Sequence, residues 1–193
     1  QLTADAVFGI YPANSKNESV NVEGLEFNFP RQLVDKGLNK INYSLADFIS
    51  SEQDWIGMFA VTTGKGIEDV ISELEKDHDD YGIIMIKAIA DRLAEAFAEK
   101  LHRMIRVDYW GYSAEKNMSI EQLIKEKYDG IRPAPGYPAC PSHEEKDKIW
   151  EILDVEKEVG ITLTESRAMY PAASVSGWYF SHPNSFYFSV LNN

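Results

Sequence analysis

A long amphipathic segment, residues 81–112, limits the folds open to this 193-residue chain more than any other feature of its sequence. Its apolar residues recur at intervals of three and four, as they do along one face of an α-helix. They are Ile86, Ile89, Ala90, Leu93, Ala96, Phe97, Leu101 and Met104. An opposing stripe at four-residue spacing carries Asp91, Glu95, Glu99 and Arg103. The pattern predicts a helix over about 81–110 that Gly111 ends, and its charges exclude a membrane span.

Shorter strand-like and helix-like segments lie on both sides of this helix. The predicted strands are 5–14, ended by Pro12 and Asn14; 20–29, one alternating segment with Gly24 as a bulge; 54–66, which runs into a glycine turn; and short aromatic-rich strands within 161–190. The predicted helices are 67–80, 119–130 with Ser119 as its cap, and 142–160 with Ser142 as its cap. Because strands and helices do not alternate regularly, their order favours an α+β fold over a doubly wound parallel sheet.

The charge and cysteine content of the chain exclude some classes of function. A formal net charge of −12 argues against nucleic acid, because a phosphate backbone needs a basic surface. One cysteine, Cys140, cannot form an internal disulfide, so nothing requires an oxidising compartment. The length suits one domain, 1–193, and the chain, which starts at Gln1 without a leader, is expected to be part of a longer protein.

Two short motifs resemble sites but have simpler explanations. The stretch VTTGKGIEDV (61–70) joins a strand to a helix through glycines, a junction that can bind phosphate. It lacks the third glycine of a dinucleotide-binding motif and the Lys-Ser/Thr end of a P-loop, which favours a plain turn. The acidic run DHDD (77–80) lies between two helices, where carboxylates face solvent and prepare the next helix start. Neither this run nor His102 and His143 has the spacing of a zinc site, so no metal site is predicted.

The stretch RPAPGYPACPSH (132–143) contains four of the eight prolines of the chain. Each proline fixes its own φ and restricts the residue before it, so the loop is stiff. Arg132 offers a planar fork of donors for a carboxylate, Gly136 permits a close backbone approach, and Tyr137 adds a flat ring with a polar tip. These parts suggest a preorganised cradle for a small zwitterionic ligand. A stiff connector between two helices is the alternative, and the pattern alone favours it.

Three long blocks of this sequence together resemble one known family. They are DDYGIIMIKAIADRLAEAFAEKLH (79–102), RPAPGYPACPSHEEK (132–146) and TESRAMYPAASVSGWYFSHPNSFYF (164–188). In this order they resemble the activation domain of cobalamin-dependent methionine synthase. The resemblance extends from about Val7 to Val190 and is weakest in 15–40. It implies a helmet-shaped α+β domain around a bent antiparallel sheet.

The resemblance also implies a function. A domain of this family is the C-terminal module of a cytoplasmic methyltransferase and binds S-adenosylmethionine (AdoMet). When the cobalamin held by a neighbouring domain oxidises to inactive cob(II)alamin, flavodoxin or a flavoprotein reductase supplies an electron and AdoMet supplies a methyl group. The chain is then part of an enzyme, but the fragment is not expected to turn over by itself and carries no catalytic residue. Its expected partners are the cobalamin-binding domain and the flavoprotein.

The family pattern assigns AdoMet contacts to particular positions of this chain. Those positions are Arg132, Pro133, Ala134, Gly136, Tyr137, Tyr187, Phe188, Glu95 and Glu126. Arg132 matches the arginine that contacts AdoMet, and Tyr137 also matches a tyrosine that faces cobalamin. The family pair at 187–188 is often Tyr-Tyr, so Phe188 lacks one hydroxyl. For Glu95 and Glu126, a role as solvated helix carboxylates stays equally open.

Three departures from the family pattern affect these expectations. Family members extend further toward the N-terminus, where an aspartate contacts the amino group of AdoMet. The DxHxxG motif that binds cobalamin and the zinc cysteines of the homocysteine site are both missing from this sequence. An acidic chain that docks an acidic flavodoxin also needs a basic patch, for which KLHRMIR (100–106) is a candidate, or equally a helix end that complements its dipole.

Two other functions compete with AdoMet-dependent reactivation. The chain could be a docking module for the cobalamin domain or flavodoxin that does not hold AdoMet by itself. A free-standing Rossmann-type methyltransferase is disfavoured, because the glycine motif is missing and the elements do not alternate.

Overall fold

A five-stranded antiparallel sheet in the order β3-β2-β1-β4-β7 forms the centre of the fold. The computed structural model describes residues 3–33, 41–114 and 118–191. The strands are β1 Thr3–Lys16, β2 Ser19–Val22, β3 Leu25–Asn28, β4 Asp54–Lys65, β5 Thr162–Leu163, β6 Met169–Tyr170 and β7 Ser174–Tyr179. The α-helices are α1 Ile67–Lys76, α2 Asp80–Met104, α3 Ile120–Ile124, α4 Glu145–Leu153 and α5 Val155–Val159. Strands β5 and β6 form a separate two-stranded sheet.

Helices cover both faces of the central sheet. Along β4, Ile56, Met58 and Ala60 belong to the core cluster that includes α4 and α5. The alternate residues Phe59 and Val61 belong to the cluster that includes α2. This alternation follows from the two-residue period of a strand, and it makes β4 apolar on both faces. The predicted α+β class with a bent antiparallel sheet is therefore confirmed, since the sheet curls into half a barrel.

Helix α2 confirms the long predicted helix and buries part of the predicted apolar face, since Ala90 and Leu101 are buried and Phe97 packs against the core. A π-helix at Ile105–Tyr109 extends it, and Gly111 follows with a φ of 74°. Its buried residues include Ala90, Ala94, Ala98 and Leu101, whereas the side chains of Ile89 and Leu93 are 45% and 47% exposed. A row of alanines lets the helix backbone approach the sheet closely, and the Thr63 hydroxyl donates to the Ala90 carbonyl over 2.7 Å. The apolar spacing therefore predicted the burial of Ala90 and Leu101 but not that of Ala94 and Ala98.

Two strand predictions in the N-terminal part were wrong. Strand β1 does not end at Pro12 but continues to Lys16. Strand β2 pairs with β1 only from Ala13, so β1 has a single neighbour at Pro12, and proline is tolerated at such a position. The segment 20–29 is a hairpin of β2 and β3. Glu23 and Gly24, with φ values of 52° and 85°, form a two-residue turn rather than a bulge.

The predicted helix 67–80 ends early, at Lys76, and two further helices also differ from their predictions. The segment 119–130 contains only α3, although Ser119 caps it by accepting from the Gln122 N–H. The segment 142–160 divides into α4 and α5 at Asp154, whose φ of 49° is left-handed. Ser142 accepts from the Glu144 N–H ahead of α4 and does not cap that helix, which begins at Glu145. Both errors come from positive-φ backbone that the apolar spacing does not reveal.

Within the ranges described above, no helix is both long and apolar enough to cross a bilayer.

Candidate functional site

The proline loop, residues 132–143, is fixed to the edge strand β7. Ile131 exchanges two backbone hydrogen bonds with Phe180, both 3.0 Å long, and the Trp178 N–H donates to the Pro133 carbonyl over 3.0 Å. Gly177 makes this approach possible, because a Cβ atom there would lie only 2.4 Å from the Pro133 carbonyl oxygen. The first residues of the loop are therefore held in place like a further short strand.

A tight turn shapes the second half of the loop. The Gly136 N–H donates to the Cys140 carbonyl over 2.8 Å, and the Cys140 N–H donates to the Tyr137 carbonyl over 2.9 Å. Gly136 has a φ of 90°, and a Cβ atom there would lie 2.0 Å from Cε1 of His143. Only glycine suits this position, because both the backbone conformation and the space exclude a side chain. The C-terminal segment is attached to the same turn by the Val190 N–H, which donates to the Pro138 carbonyl over 2.9 Å.

A cavity of about 560 Å³ lies beside this loop. Eight of the nine residues assigned from the resemblance line it: Glu95, Glu126, Arg132, Pro133, Ala134, Tyr137, Tyr187 and Phe188. Gly136 is not in the wall but lies behind it, against His143. The sequence analysis did not assign further wall residues, including Phe59, His143, Lys146, Met169 and Val175. The alternation of apolar residues in β4 and β7 indicates that Phe59 and Val175 share a face of the sheet with other apolar residues. It does not indicate which face of the sheet lies against the proline loop.

Arg132 is held at the edge of the cavity by residues from three elements. Its Nη1 forms an ion pair with Oε2 of Glu99 on α2 and lies 3.4 Å from the Tyr128 hydroxyl. Its backbone N–H donates to the Tyr187 hydroxyl over 3.0 Å. Burial lowers the pKa of Arg132, but the negative charge of Glu99 outweighs it and the pKa is raised. Glu99 was not assigned to the site, although it follows Glu95 by one helical turn.

The cavity wall contains charges of both signs. Glu95 and Glu126 contribute exposed carboxylates, and Arg132 and Lys146 contribute cations. Lys146 is only 6% exposed, its Nζ donates to the Arg167 carbonyl over 2.9 Å, and burial lowers its pKa. Separated opposite charges in one cavity suit a zwitterionic ligand.

Aromatic side chains give the cavity flat surfaces at two places. Tyr187 and Phe188 line it from the C-terminal segment, and burial raises the pKa of Tyr187 so that its hydroxyl stays protonated. Tyr137 also lines the cavity but is 60% exposed, so its ring stands at the mouth. The cavity therefore combines a planar apolar wall with an aromatic ring that a docking partner could reach.

Two other predicted features have a clear structural outcome. The basic segment 100–106 does not form a surface patch as a whole, because His102 and Arg106 are buried; only Lys100 and Arg103 of its basic residues are exposed. In the part of the chain that the structure describes, no group of three His, Cys, Asp or Glu side chains could hold a metal ion. In DHDD, Asp79 caps α2 by accepting from the Gly82 N–H over 2.8 Å.

A comparison with protein-family models identifies the family of this chain. The model described as "Vitamin B12 dependent methionine synthase, activation domain" matches residues 1–192. The chain belongs to this family. The resemblance inferred from the three sequence blocks is thereby confirmed for the activation domain as a whole.

A solved structure similar to this activation domain is described as the MetH reactivation domain bound to AdoHcy (S-adenosylhomocysteine). The two chains are 50% identical, with a TM-score of 0.94. The match covers 98% of this chain and 62% of that chain, so the activation domain described here spans less than two thirds of the solved chain. The strand pairs described above are all antiparallel, and the Rossmann-type alternative is therefore wrong.

Proposed function

We propose that this activation domain binds AdoMet in the cavity beside the proline loop and supports the reductive methylation of cobalamin in a longer methionine synthase. The observation that carries the proposal is the convergence of a guanidinium, carboxylates and aromatic rings on one cavity of about 560 Å³. A cavity of this size is typical of small-molecule sites. The similar solved domain, which is described with AdoHcy bound, supports the same ligand class.

Each part of AdoMet has a chemically suitable group in the cavity wall. Its carboxylate would meet the guanidinium of Arg132, and its ammonium and sulfonium would lie toward Glu95 and Glu126. Its adenine would contact Tyr187 and Phe188. The backbone at Pro133 and Ala134 would form the floor between these groups. Gly136 would act indirectly, by allowing the turn that positions this floor.

The contribution of this chain to the reaction is positioning and exclusion of water. Methyl transfer from a sulfonium to a cobalt nucleophile removes no proton, so we propose no catalytic residue and no general base. The cobalamin, held by a neighbouring domain, supplies the cobalt chemistry. Tyr137 is the residue of this chain that would face it, because its ring stands at the mouth of the cavity.

The proposed partners and setting follow from the same family. The cobalamin-binding domain would dock over the cavity mouth, and flavodoxin or a flavoprotein reductase would supply the electron. We propose that residues 1–193 act as one activation domain within the longer enzyme, in the cytoplasm. A docking module without AdoMet is the second candidate function, and it predicts no binding of AdoMet or AdoHcy by this chain.

Calorimetric titration with AdoHcy and AdoMet tests the proposed site. The parent chain should bind, and Arg132→Ala should lose about 1.5–3 kcal/mol, roughly a tenfold to hundredfold loss of affinity. Arg31→Ala is the matched control, since it removes a guanidinium that pairs with Asp47 and does not line the cavity. Equal affinities of the parent and Arg132→Ala would contradict the site. No binding by the parent would favour the docking module.

A further inference from the structure

A polar cluster beneath Arg132 has no role in the proposed function. It consists of Glu99, His102 and Arg106, which follow Glu95 along α2 and its π-helical extension, and of Tyr128. His102 and Arg106 are 0% and 2% exposed. Buried polar side chains of this kind need partners, so their contacts define what the cluster does.

Glu99 lies at the centre of the cluster. Its Oε2 accepts from Nη1 of Arg132 and from the Tyr128 hydroxyl, the latter over 3.4 Å. The partners are only partly exposed: the Arg132 side chain is 18% exposed and the Glu99 side chain 27%. Nε and Nη2 of Arg132 form no hydrogen bond with any described residue. Glu99 therefore fixes one edge of a planar guanidinium and leaves the other edge available.

Tyr128 is itself held firmly. The guanidinium carbon of Arg106 lies 3.7 Å from the centre of the Tyr128 ring. The His102 ring meets Tyr128 edge-on, with the ring centres 5.3 Å apart. Contacts on the face and the edge of the ring leave its hydroxyl at a defined place between Glu99 and Arg132.

Arg132 and this cluster together contain two guanidinium groups, those of Arg132 and Arg106, and one carboxylate, that of Glu99. The carboxylates of Glu126 and Asp129 also lie close enough to act on Tyr128 and Tyr112. Burial raises the pKa of Tyr128 and lowers the pKa of His102, so both are neutral near pH 7. Arg106 forms no ion pair within the described ranges, and its buried Nη1 has no hydrogen-bond partner there. A buried guanidinium without an ion-pair partner, such as that of Arg106, is unfavourable.

We propose that Glu99, supported by Tyr128, is a positioning residue for ligand recognition: it holds Arg132 by Nη1 so that the Nε and Nη2 edge receives the carboxylate of the ligand. This inference rests on the proposed function and names the residue that prepares its anchor. An arginine that is already ordered loses less side-chain freedom on binding than a mobile one, which strengthens binding. The unpaired guanidinium of Arg106 adds positive charge near Arg132, which favours a ligand carboxylate beside the carboxylate of Glu99.

A competing role for Glu99 gives the opposite result. If its carboxylate merely occupied Arg132 until the ligand displaced it, removal of its charge would strengthen binding of the ligand carboxylate. If Glu99 only stabilised the fold, its removal would affect every ligand of the cavity equally. The direction of the change and its dependence on the ligand carboxylate therefore separate the three roles.

The test is calorimetry on Glu99→Gln with two ligands, AdoHcy and its decarboxylated analogue, S-adenosyl-3-thiopropylamine. We expect a roughly two- to tenfold loss of affinity for AdoHcy, because the Arg132 side chain would then have to be ordered by the ligand. Affinity for the analogue should stay within about twofold. In an Arg132→Ala background, Glu99→Gln should cause no further loss, since the two residues act as a unit. Glu73→Gln, which breaks an exposed pair with Lys76, is the matched control.

Tighter AdoHcy binding, an equal loss with both ligands or no change would each overturn the inference. Nuclear magnetic resonance of the Arg132 guanidinium tests it without a ligand. The parent should show hindered rotation of the guanidinium, and Glu99→Gln should show averaged signals. Averaged signals in a parent that binds AdoHcy would overturn this inference and leave the proposed function intact. Hindered rotation in a parent that binds no AdoHcy would instead contradict the proposed function.

Discussion

Gly177→Ala tests whether the contact between the proline loop and β7 shapes the cavity. The added Cβ would lie 2.4 Å from the Pro133 carbonyl oxygen and 3.3 Å from Cε1 of Phe59. Contacts of Cβ atoms below 3.0 Å are essentially never seen, so the carbonyl must move by more than half an ångström. Overpacking of this kind costs about 1–3 kcal/mol, because rigid backbone cannot adapt as a side-chain end can. For a domain of this size, the loss lowers Tm by about 2–12 °C.

Urea unfolding followed by tryptophan fluorescence measures this loss, and titration with AdoHcy measures movement of the cavity wall. We expect Gly177→Ala to lower both the unfolding midpoint and the affinity. Gly64→Ala is a control on β4, since its Cβ would lie 2.5 Å from Cβ of Pro171, which does not line the cavity. This control should lower stability but not affinity. An unchanged midpoint and an unchanged affinity for Gly177→Ala would refute the reasoning.

Two further predictions concern buried groups. Burial, with a smaller contribution from Glu145, raises the pKa of the Cys140 thiol to about 12. At pH 8 this thiol should therefore react with DTNB more than ~100-fold slower than free cysteine. Rapid labelling of the native protein would contradict this prediction. Burial and the nearby cations Arg106 and Arg132 lower the pKa of His102 well below its usual value. Since unfolded histidine binds a proton near pH 6.5, the unfolded state then holds more protons, and stability should fall as pH drops below about 6.5. In His102→Gln the urea unfolding midpoint should decrease less between pH 7.5 and pH 5 than it does in the parent. An equally steep decrease in the variant would contradict this role of His102.

The sequence predicted the fold class and the long helix because both depend on periodicity over many residues. The 25 residues of α2 repeat the helical period often enough to outweigh local exceptions. The path of β1 through Pro12 and the break at Asp154 depend on single residues and their neighbours in space. Such details follow from tertiary contacts, which no local pattern contains.

The candidate site was predictable to the extent that its residues lie in contiguous sequence. The proline loop stands out by composition, and the blocks around it led to the family. The pairing of Arg132 with Glu99 joins residues that are 33 positions apart, and each has an ordinary solvated role in its own segment. The importance of Gly177 likewise depends on the opposing Pro133 carbonyl, which only the folded chain brings near.

The attachment of the loop to β7 also protects the protein against unwanted self-association. Strand β7 is at the end of the sheet order, and an uncovered end of a sheet can recruit a strand from another molecule. Backbone hydrogen bonds of Phe180 with Ile131, and of Trp178 with Pro133, occupy this edge of the sheet. Pro133 and Pro135 lack an N–H, so the loop cannot in turn extend the ladder outward. Loosening this loop would therefore uncover the hydrogen-bonding edge of β7, and we expect aggregation to accompany any change in the cavity.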